Sequence, residues 1–259
     1  MLELSIPELV EWMNRFMWPL FRISSFFMAV PLIGTQLLPA RIRLAFALVV
    51  TMLVAPLLPP MPVYEGLSPA VFLLILQQLL IGTALGFMVQ VLFQVFVVAA
   101  QMISSQMGLG FASVSDPTNG VSVVVLSQFY LMLVMMLFLA MDGHLVLIDV
   151  IVGSFYVMPV GEVLPGAVLW QVASAGSWMF AGGVLLALPA VIALLIVNFA
   201  FGIMTKAAPQ LNIFAIGFPF TMLFGLFITW VSMAGFLGQY QRISEQVLGN
   251  VGRLLVGGP

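Results

Sequence analysis

The feature that most constrains this chain is a continuous stretch, residues 66–115, without a single charged side chain. Further charge-free stretches cover 44–64, 117–141, 163–205 and 207–241. Each is long enough for a membrane-spanning helix of about 20 residues. Lipid offers no partners to backbone N–H and C=O groups, and no alternation of period two marks strands. The sequence therefore predicts an all-α, membrane-type protein.

Composition narrows the classes of function. Of the residues, 63% are hydrophobic and 6% are charged, against roughly 25% charged in ordinary soluble domains. Seven basic side chains form no patch that could neutralise a nucleic-acid backbone, so nucleic acid is excluded as a main partner. Cysteine is absent and His144 is the single histidine. Because catalytic triads and metal-ligand spacings are also missing, we expect neither an enzyme nor a bound cofactor.

Proline and glycine clusters divide the chain into about six long, kinked apolar segments. The predicted breaks are Pro31 to Pro39, Pro56 to Pro69, Ser113 to Gly120, Pro159 to Gly166 and Lys206 to Asn212. The first segment is expected to be retained, since acidic residues precede any basic one and no cleavage site follows it. Without an internal repeat or a soluble part, residues 1–259 are expected to form one domain.

Several features fit simple lipid-facing spans poorly. The interval from Ser68 to Gly108 is about twice what one span needs, so it predicts a hairpin, a long kinked helix or a helix buried in other protein. Gly82 and Gly86 form a GxxxG motif that allows bending or close helix contact. Arg15 and Arg22 fall within the first apolar segment, where a charge requires a buried partner or a wet face. Basic residues along the chain also fit no single orientation.

A polar stripe marks the long third segment. Gln90, Gln94, Gln101 and Ser104 follow spacings of 4, 7 and 3, which keep them on one narrow face of a helix. Such amides commonly make hydrogen bonds between helices inside a membrane assembly. The alternative is that the stripe lines a wetted conduit.

The segment from Gln106 to Val121 has the chemistry of a loop. Its turn-forming residues are Gly108, Gly110, Asp116, Pro117, Asn119 and Gly120. It lacks the Lys and Ser/Thr of a P-loop, so it is no phosphate cradle. It is either an ordinary connection or a mobile hydrophobic constriction, because apolar pores close by dewetting. The apolar residues of the loop are Met107, Leu109 and Phe111.

Ionisable residues cluster at the end of the fourth segment, where Asp142, His144 and Asp149 follow one another closely. A carboxylate beside a histidine can form a proton relay, although local hydrogen bonding is the more common role. Asp142 and His144 join Arg15 and Arg22 as candidate buried charges.

Three stretches together resemble the FliR/SctT family of type III export-gate proteins over essentially the full length. Residues 22–43 read RISSFFMAVPLIGTQLLPARIR. Residues 108–144 begin GLGFASVSDPTNG and end MDGH. The most specific stretch, 187–220, carries LPA and then VNFAFGIMTKAAPQLNIFAIGFPF. The APQLNIF run followed by GFP is similar to the flagellar branch rather than the virulence-injectisome branch.

The resemblance implies a helical-hairpin fold within a FliP/FliQ/FliR assembly, the core of the flagellar export gate. One FliR copy and several FliP and FliQ chains would form a channel for unfolded flagellar proteins. FlhA and FlhB would be further components. The assembly would belong to the flagellar basal body at the bacterial inner membrane, largely above the bilayer plane. It implies also that the loop at 106–121 plugs the channel, with Met107 and Phe111 as apolar contacts.

Three alternatives remain open. An injectisome subunit would export effectors through the same architecture. A secondary transporter for a small molecule is compatible with broken helices, but the charge-free blocks at 66–115 and 163–205 supply no ionisable coupling site. A purely structural assembly factor would use the polar stripe for packing alone.

Overall fold

The computed structural model describes residues 6–31, 39–63, 68–108, 125–162, 165–208 and 213–256. In these ranges the chain forms α-helices, two short 3-10 turns and no strand, which confirms the all-α prediction. The helices are α1 Ile6–Ala29, α2 Ala40–Val54, α3 Pro69–Gln106, α4 Val125–Ala140, α5 Gly143–Val157, α6 Gly166–Ala207, α7 Ile213–Ser232 and α8 Phe236–Val256. The 3-10 turns follow α2 and α7, at Ala55–Leu57 and Met233–Gly235.

Helices end and begin on either side of every predicted break, so six apolar segments are a good approximation. Two of these segments are divided again in the structure. Between α4 and α5, Asp142 adopts a left-handed conformation with φ of 56°, and one helix ends there before the next begins. The proline and glycine clusters do not predict this break. Its signal was the Asp142-Gly143 pair, because Asp tolerates the left-handed region better than most residues.

The overlong third segment is one continuous helix. α3 has 38 residues, which corresponds to about 57 Å at 1.5 Å per residue. α6 is longer still, with 42 residues and Pro189 inside it. Both exceed the hydrocarbon core of a bilayer, which is roughly 30 Å thick. The structure thus excludes a hairpin at Ser68 to Gly108.

By length and composition, several described stretches could cross a membrane. They are Ala40–Leu57, Pro69–Gln106, Gly166–Ala207 and Gly217–Leu254, and the bent pair α4–α5 would add a fifth. The last stretch joins most of α7 to α8 through the 3-10 turn. The length and apolar composition of these helices confirm the prediction of a membrane-type protein.

The helices contribute to two compact units. The first unit comprises the described parts of Met1–Val91, Met141–Ala175 and Gln246–Pro259. Here the rings of Phe27 on α1 and Phe46 on α2 lie 5.0 Å apart. Near the other end of the pair, Phe16 and Ala55 line one cavity. α1 and α2 therefore run antiparallel as a helical hairpin.

The second unit comprises the described parts of Leu92–Ala140 and Gly176–Glu245. Its core is aromatic. Phe96 on α3 lies 5.3 Å from Phe236 of α8, and Tyr130 on α4 meets the same ring at 5.4 Å in an edge-on arrangement. Phe93 packs on Phe138 at 5.3 Å. These contacts secure the C-terminal half of α3.

Candidate functional site

Arg22 on α1 is completely buried, and its guanidinium joins three helices of the first unit. The Nε donates to Oε1 of Gln78 on α3 at 2.7 Å. On α5, Nη1 donates to the carbonyl and hydroxyl oxygens of Ser154 at 2.9 and 3.2 Å, and Nη2 donates to the carbonyl of Met158 at 2.8 Å. The guanidinium also lies 4.1 Å from the ring centre of Phe155.

This charge is balanced by dipoles. Ser154 and Met158 lie at the C-terminal end of α5, where the helix dipole amounts to about half a negative charge. Burial lowers the pKa of Arg22 to about 9, so the side chain stays cationic at neutral pH. Arg22 thus acts as a buried C-terminal cap for α5 while it also holds α3.

One polar atom in this cluster has no partner among the described residues. Gln78 is fully buried, and its Oε1 is used by Arg22, yet its Nε2 donates to nothing described. Gln78 is not among the residues that the sequence patterns singled out. The available signal was a pair of amides, Gln77 and Gln78, within an otherwise apolar helix.

The GxxxG motif of α3, Gly82 and Gly86, packs against α1 next to Arg22. A Cβ on Gly82 would overlap Ser25 Oγ and the carbonyl of Arg22, and it would lie 3.0 Å from the nitrogen of Phe26. A Cβ on Gly86 would come within 2.6 Å of Ala29 Cβ and 2.8 Å of the carbonyl of Phe26. Backbone oxygens cannot move aside as side chains do. Of the two uses predicted for this motif, the structure shows close helix contact, between α1 and α3.

The C-terminal end of α3, in the second unit, is fixed by a separate set of contacts. Asn198 on α6 donates from Nδ2 to the carbonyl of Gln106 at 3.1 Å. Met107 is fully buried, and a Cβ on Gly225 of α7 would lie 2.8 Å from its sulfur. Gly108 then leaves the helix with φ of 80°, a conformation that suits glycine at a helix terminus. The residue at which the helix stops is therefore set by α6 and α7.

A cavity of about 440 Å³ opens beside this helix end, between α3 and α6. From α3 it is lined by Gln101, Met102 and Ser105 among others, and from α6 mainly by aliphatic side chains and Phe180. Gln101 is exposed here, whereas Ser104 is fully buried with a hydroxyl that finds no described partner. Gln90 and Gln94 are half-buried. The side chains of the polar stripe thus range from half-buried through exposed to fully buried along α3.

Comparison with known proteins places these features in a family. The profile of a family described as bacterial export proteins, family 1, matches residues 13–247. Flagellar biosynthetic protein FliR of Escherichia coli (strain K12) is 38% identical, and the alignment covers 87% of each chain. The proteins of the same name from Pectobacterium carotovorum and Bacillus subtilis are 37% and 28% identical over 87% and 82% of this chain.

The chain belongs to the FliR family of bacterial export proteins. The resemblance deduced from three stretches of sequence is thereby confirmed. The matched range includes all of α2 to α7 and both the Arg22 cluster and the end of α3.

The resemblance to FliR implies that residues 106–121 form a plug loop. The structure describes this loop only as far as Gly108. Met107 is packed into its own subunit, and Gly108 turns the chain away from α3. The remaining plug-loop candidates lie outside the described residues; they are Leu109, Gly110, Phe111, Asp116 and Pro117.

The four candidate buried charges differ in how far their side chains are buried. Arg22 is fully buried, whereas Arg15, Asp142 and His144 are exposed on the isolated chain, as is Asp149. The predicted cluster of Asp142, His144 and Asp149 forms no hydrogen bond or ion pair among the described side chains. Within the described ranges, no group of three His, Asp or Glu residues could hold a metal ion.

Proposed function

We propose that this chain is a core subunit of the flagellar type III export gate and forms a protein-conducting channel with FliP and FliQ. The observation that carries the flagellar assignment is its similarity to FliR proteins across most of both chains. Unfolded flagellar proteins are the proposed cargo, and FlhA and FlhB are the proposed neighbouring components. We assign the chain no catalytic step and no cofactor, and we treat residues 1–259 as one functional domain.

The exposed surface of α6 supports assembly with other chains. Its 42 residues correspond to about 63 Å, yet a bilayer offers roughly 30 Å of hydrocarbon. Large apolar side chains are exposed along most of it, from Trp170 at 75% to Phe199 at 72%. One straight crossing cannot cover such a surface with lipid, so protein partners are expected to cover the rest. This accords with an assembly in the basal body that rises largely above the plane of the inner membrane.

The end of α3 supports a role for the following segment as a plug. Asn198, Gly225 and the buried Met107 hold the residue at which the proposed plug begins. The positive φ of Gly108 turns the backbone away from the axis of α3 at this point. Phe111 and its neighbours would form the apolar constriction, and Gln90, Gln94 and Gln101 would serve packing or the conduit wall.

Co-purification tests the assembly. The tagged chain is expressed with and without FliP and FliQ from the same genome, and the intact complex is weighed by native mass spectrometry. We expect a stable hetero-oligomer that contains one copy of this chain. A homo-oligomer indifferent to those partners would refute the proposal and favour a transporter.

A leak assay tests the conduit separately. Replacing residues 108–113 in the assembled complex should make the membrane permeable to small ions, because the apolar constriction is lost. Unchanged permeability with intact assembly would contradict a channel role and favour a purely structural subunit. Rescue of motility in a strain lacking its own FliR would separate the flagellar role from an injectisome role.

A further inference from the structure

Within the second unit, α7 buries a row of small residues. From Gly217 to the end of the helix, its buried residues are Gly217, Thr221, Gly225 and Thr229. A spacing of four keeps such residues on successive turns of one side of a helix. Small residues allow other helices to come close to that side. The inner side of α7 therefore has room for side chains that arrive from a neighbouring helix.

The end of α3 packs on α7 through a reciprocal pair of contacts. The thioether of Met107 occupies the space that a side chain on Gly225 would take. The ring of Phe218 occupies the space of a side chain on Gly108, with two ring carbons 2.8 Å from that Cβ position. Each contact thus joins a large side chain on one helix to a glycine on the other. Two consecutive residues at the end of α3 are held by the same helix.

Gly108 cannot fix by itself the direction in which the chain leaves α3. Its φ is 80°, yet glycine adopts positive and negative φ about equally readily. The amides of Met107 and Gly108 donate to the carbonyls of Ile103 and Ser105 at 3.0 and 3.1 Å. These hydrogen bonds hold the chain only as far as the nitrogen of Gly108, because φ is the rotation about the bond that follows. A contact beyond that nitrogen has to select the φ that is observed.

The ring of Phe218 stands where the backbone would pass if α3 continued. Around the N–Cα bond, the Cβ position lies about 120° from the carbonyl carbon. With φ at 80°, the Cβ position of Gly108 therefore marks where the carbonyl carbon would lie at a φ of roughly −40°. A right-handed helix requires about −63°, which would bring that carbon close to the same place and against the ring. The described atoms within 4 Å of this position both belong to Phe218.

We propose that Phe218, the central residue of the GFP run, is the positioning residue that stops α3 at Gly108. Its ring excludes the φ that would continue the helix, so the chain leaves α3 in the left-handed conformation instead. Asn198 and Met107 hold the chain before that glycine and leave this rotation open. The stop itself needs only the packed chain. Its consequence for a sealed channel rests on the proposed export function.

A suppressor experiment tests the stop without reference to transport. Thermal unfolding is followed for the full-length chain in the complex with which it purifies. Gly108→Ala should lower the melting temperature, because its methyl group meets the ring and its φ is strained. Adding Phe218→Ala removes the ring and lets the alanine take a helical φ. The double variant should therefore lose less than the two single losses added together.

The matched control replaces a second aromatic residue of α7. Phe220 packs on Phe201 of α6 with ring centres 5.2 Å apart, and no contact given for Gly108 involves it. The losses from Gly108→Ala and Phe220→Ala should simply add, because the two sites share no described contact.

Ion leak through the assembled complex tests the consequence for the seal. Phe218→Ala should raise the leak roughly two- to tenfold, the range by which loss of one aromatic contact shifts a two-state equilibrium. The physical reason is that Gly108 can then adopt a helical φ, which redirects the start of the plug. Phe218→Leu keeps an apolar side chain of similar bulk beside Gly108, so it should restore most of the seal. Phe220→Ala should leak no more than the parent.

Two results would overturn the proposal. One is additive loss of stability in Gly108→Ala and Phe218→Ala, and the other is equal leak in Phe218→Ala and Phe220→Ala. If replacing residues 108–113 causes no leak, the plug fails as a function. The coupling between Gly108 and Phe218 in thermal unfolding then still decides whether the ring stops α3.

Discussion

The two longest helices of this protein have similar lengths and very different surroundings. In the span-like window of α3, 39% of residues are buried within the chain, against 17% in that of α6. Yet α6 is the more apolar, with a mean hydropathy of 2.7 against 2.0. Hydropathy therefore does not decide which helix forms the core. The difference lies in small residues and polar side chains that bring other helices close.

α3 has both kinds of residue at suitable places. Gly82 and Gly86 let the backbone of α1 approach, and Gln78 receives the buried charge of Arg22. α6 makes one comparable approach, where a Cβ on Gly183 would lie 2.7 Å from Val98 of α3. At other glycines of α6, such as Gly176 and Gly202, an added Cβ would have no atom within 4 Å. α3 is a core helix of the chain, and α6 presents most of its surface outward.

The largest effect should come from removing the charge that holds α3. Arg22→Ala leaves the acceptors on Gln78 and Met158 without their donor and opens a cavity, so we expect a loss of about 3–5 kcal/mol in the free energy of unfolding. Titration with denaturing detergent measures this loss. Arg22→Lys should recover only part of it, because an ammonium group lacks the planar fork. Arg41→Ala, an exposed change, should stay within about 0.5 kcal/mol; equal unfolding of both alanine variants would contradict the role of the cluster.

A smaller loss is expected from a single methyl group between α1 and α3. Gly82→Ala forces the carbonyl of Arg22 away, which should cost about 1–3 kcal/mol, as overpacking generally does. Gly176→Ala on α6 is the control, since nothing lies within 4 Å of its Cβ position. There alanine should be neutral or stabilising by up to about 1 kcal/mol, because it favours the helix. The comparison between α3 and α6 fails if the two substitutions behave alike in the same unfolding titration.

The next effect concerns the end of α3. Asn198→Leu removes the donor to the carbonyl of Gln106, and we expect a loss of about 1 kcal/mol together with increased ion leak through the assembled complex. Thr205→Val on the same helix removes only hydrogen bonds within α6, so it should not leak. Leak in both variants, or in neither, would argue against a role for Asn198 in positioning the end of α3.

A substitution on the exposed face of α6 should have the smallest effect on stability. It should have a clear effect on assembly. Phe199→Gln is expected to alter the unfolding of the isolated chain by less than about 0.5 kcal/mol. It should nevertheless reduce co-purification with FliP and FliQ, because a polar amide would enter an apolar interface. Leu194→Gln, at a fully buried position of the same helix, should instead destabilise the chain itself. Undiminished co-purification of Phe199→Gln would show that this face is covered by lipid.

Much of the local architecture could be read from the sequence. Five of the breaks followed from proline and glycine clusters, because these residues stop or bend helices wherever they occur. Two further divisions were not predicted: the one at Asp142, where a single residue in the left-handed conformation separates two helices, and the 3-10 turn at Met233–Gly235. The polar stripe was also only partly predictable. Spacing places Gln101 and Ser104 on one side of α3, but neighbouring helices decide that one is exposed and the other buried.

The sequence by itself determined that this protein is helical, membrane-type and a member of the FliR family, since composition, charge-free length and local motifs carry those properties. It also indicated that Arg22 needs either a buried partner or a wet face, and the structure shows a buried partner. Only the tertiary structure decided between these and identified the partners, because Gln78 and Ser154 lie 56 and 132 residues away along the chain. It likewise decided that Gly82 serves contact rather than bending. Such choices depend on which helices meet, and that is a property of the packed chain rather than of any local stretch.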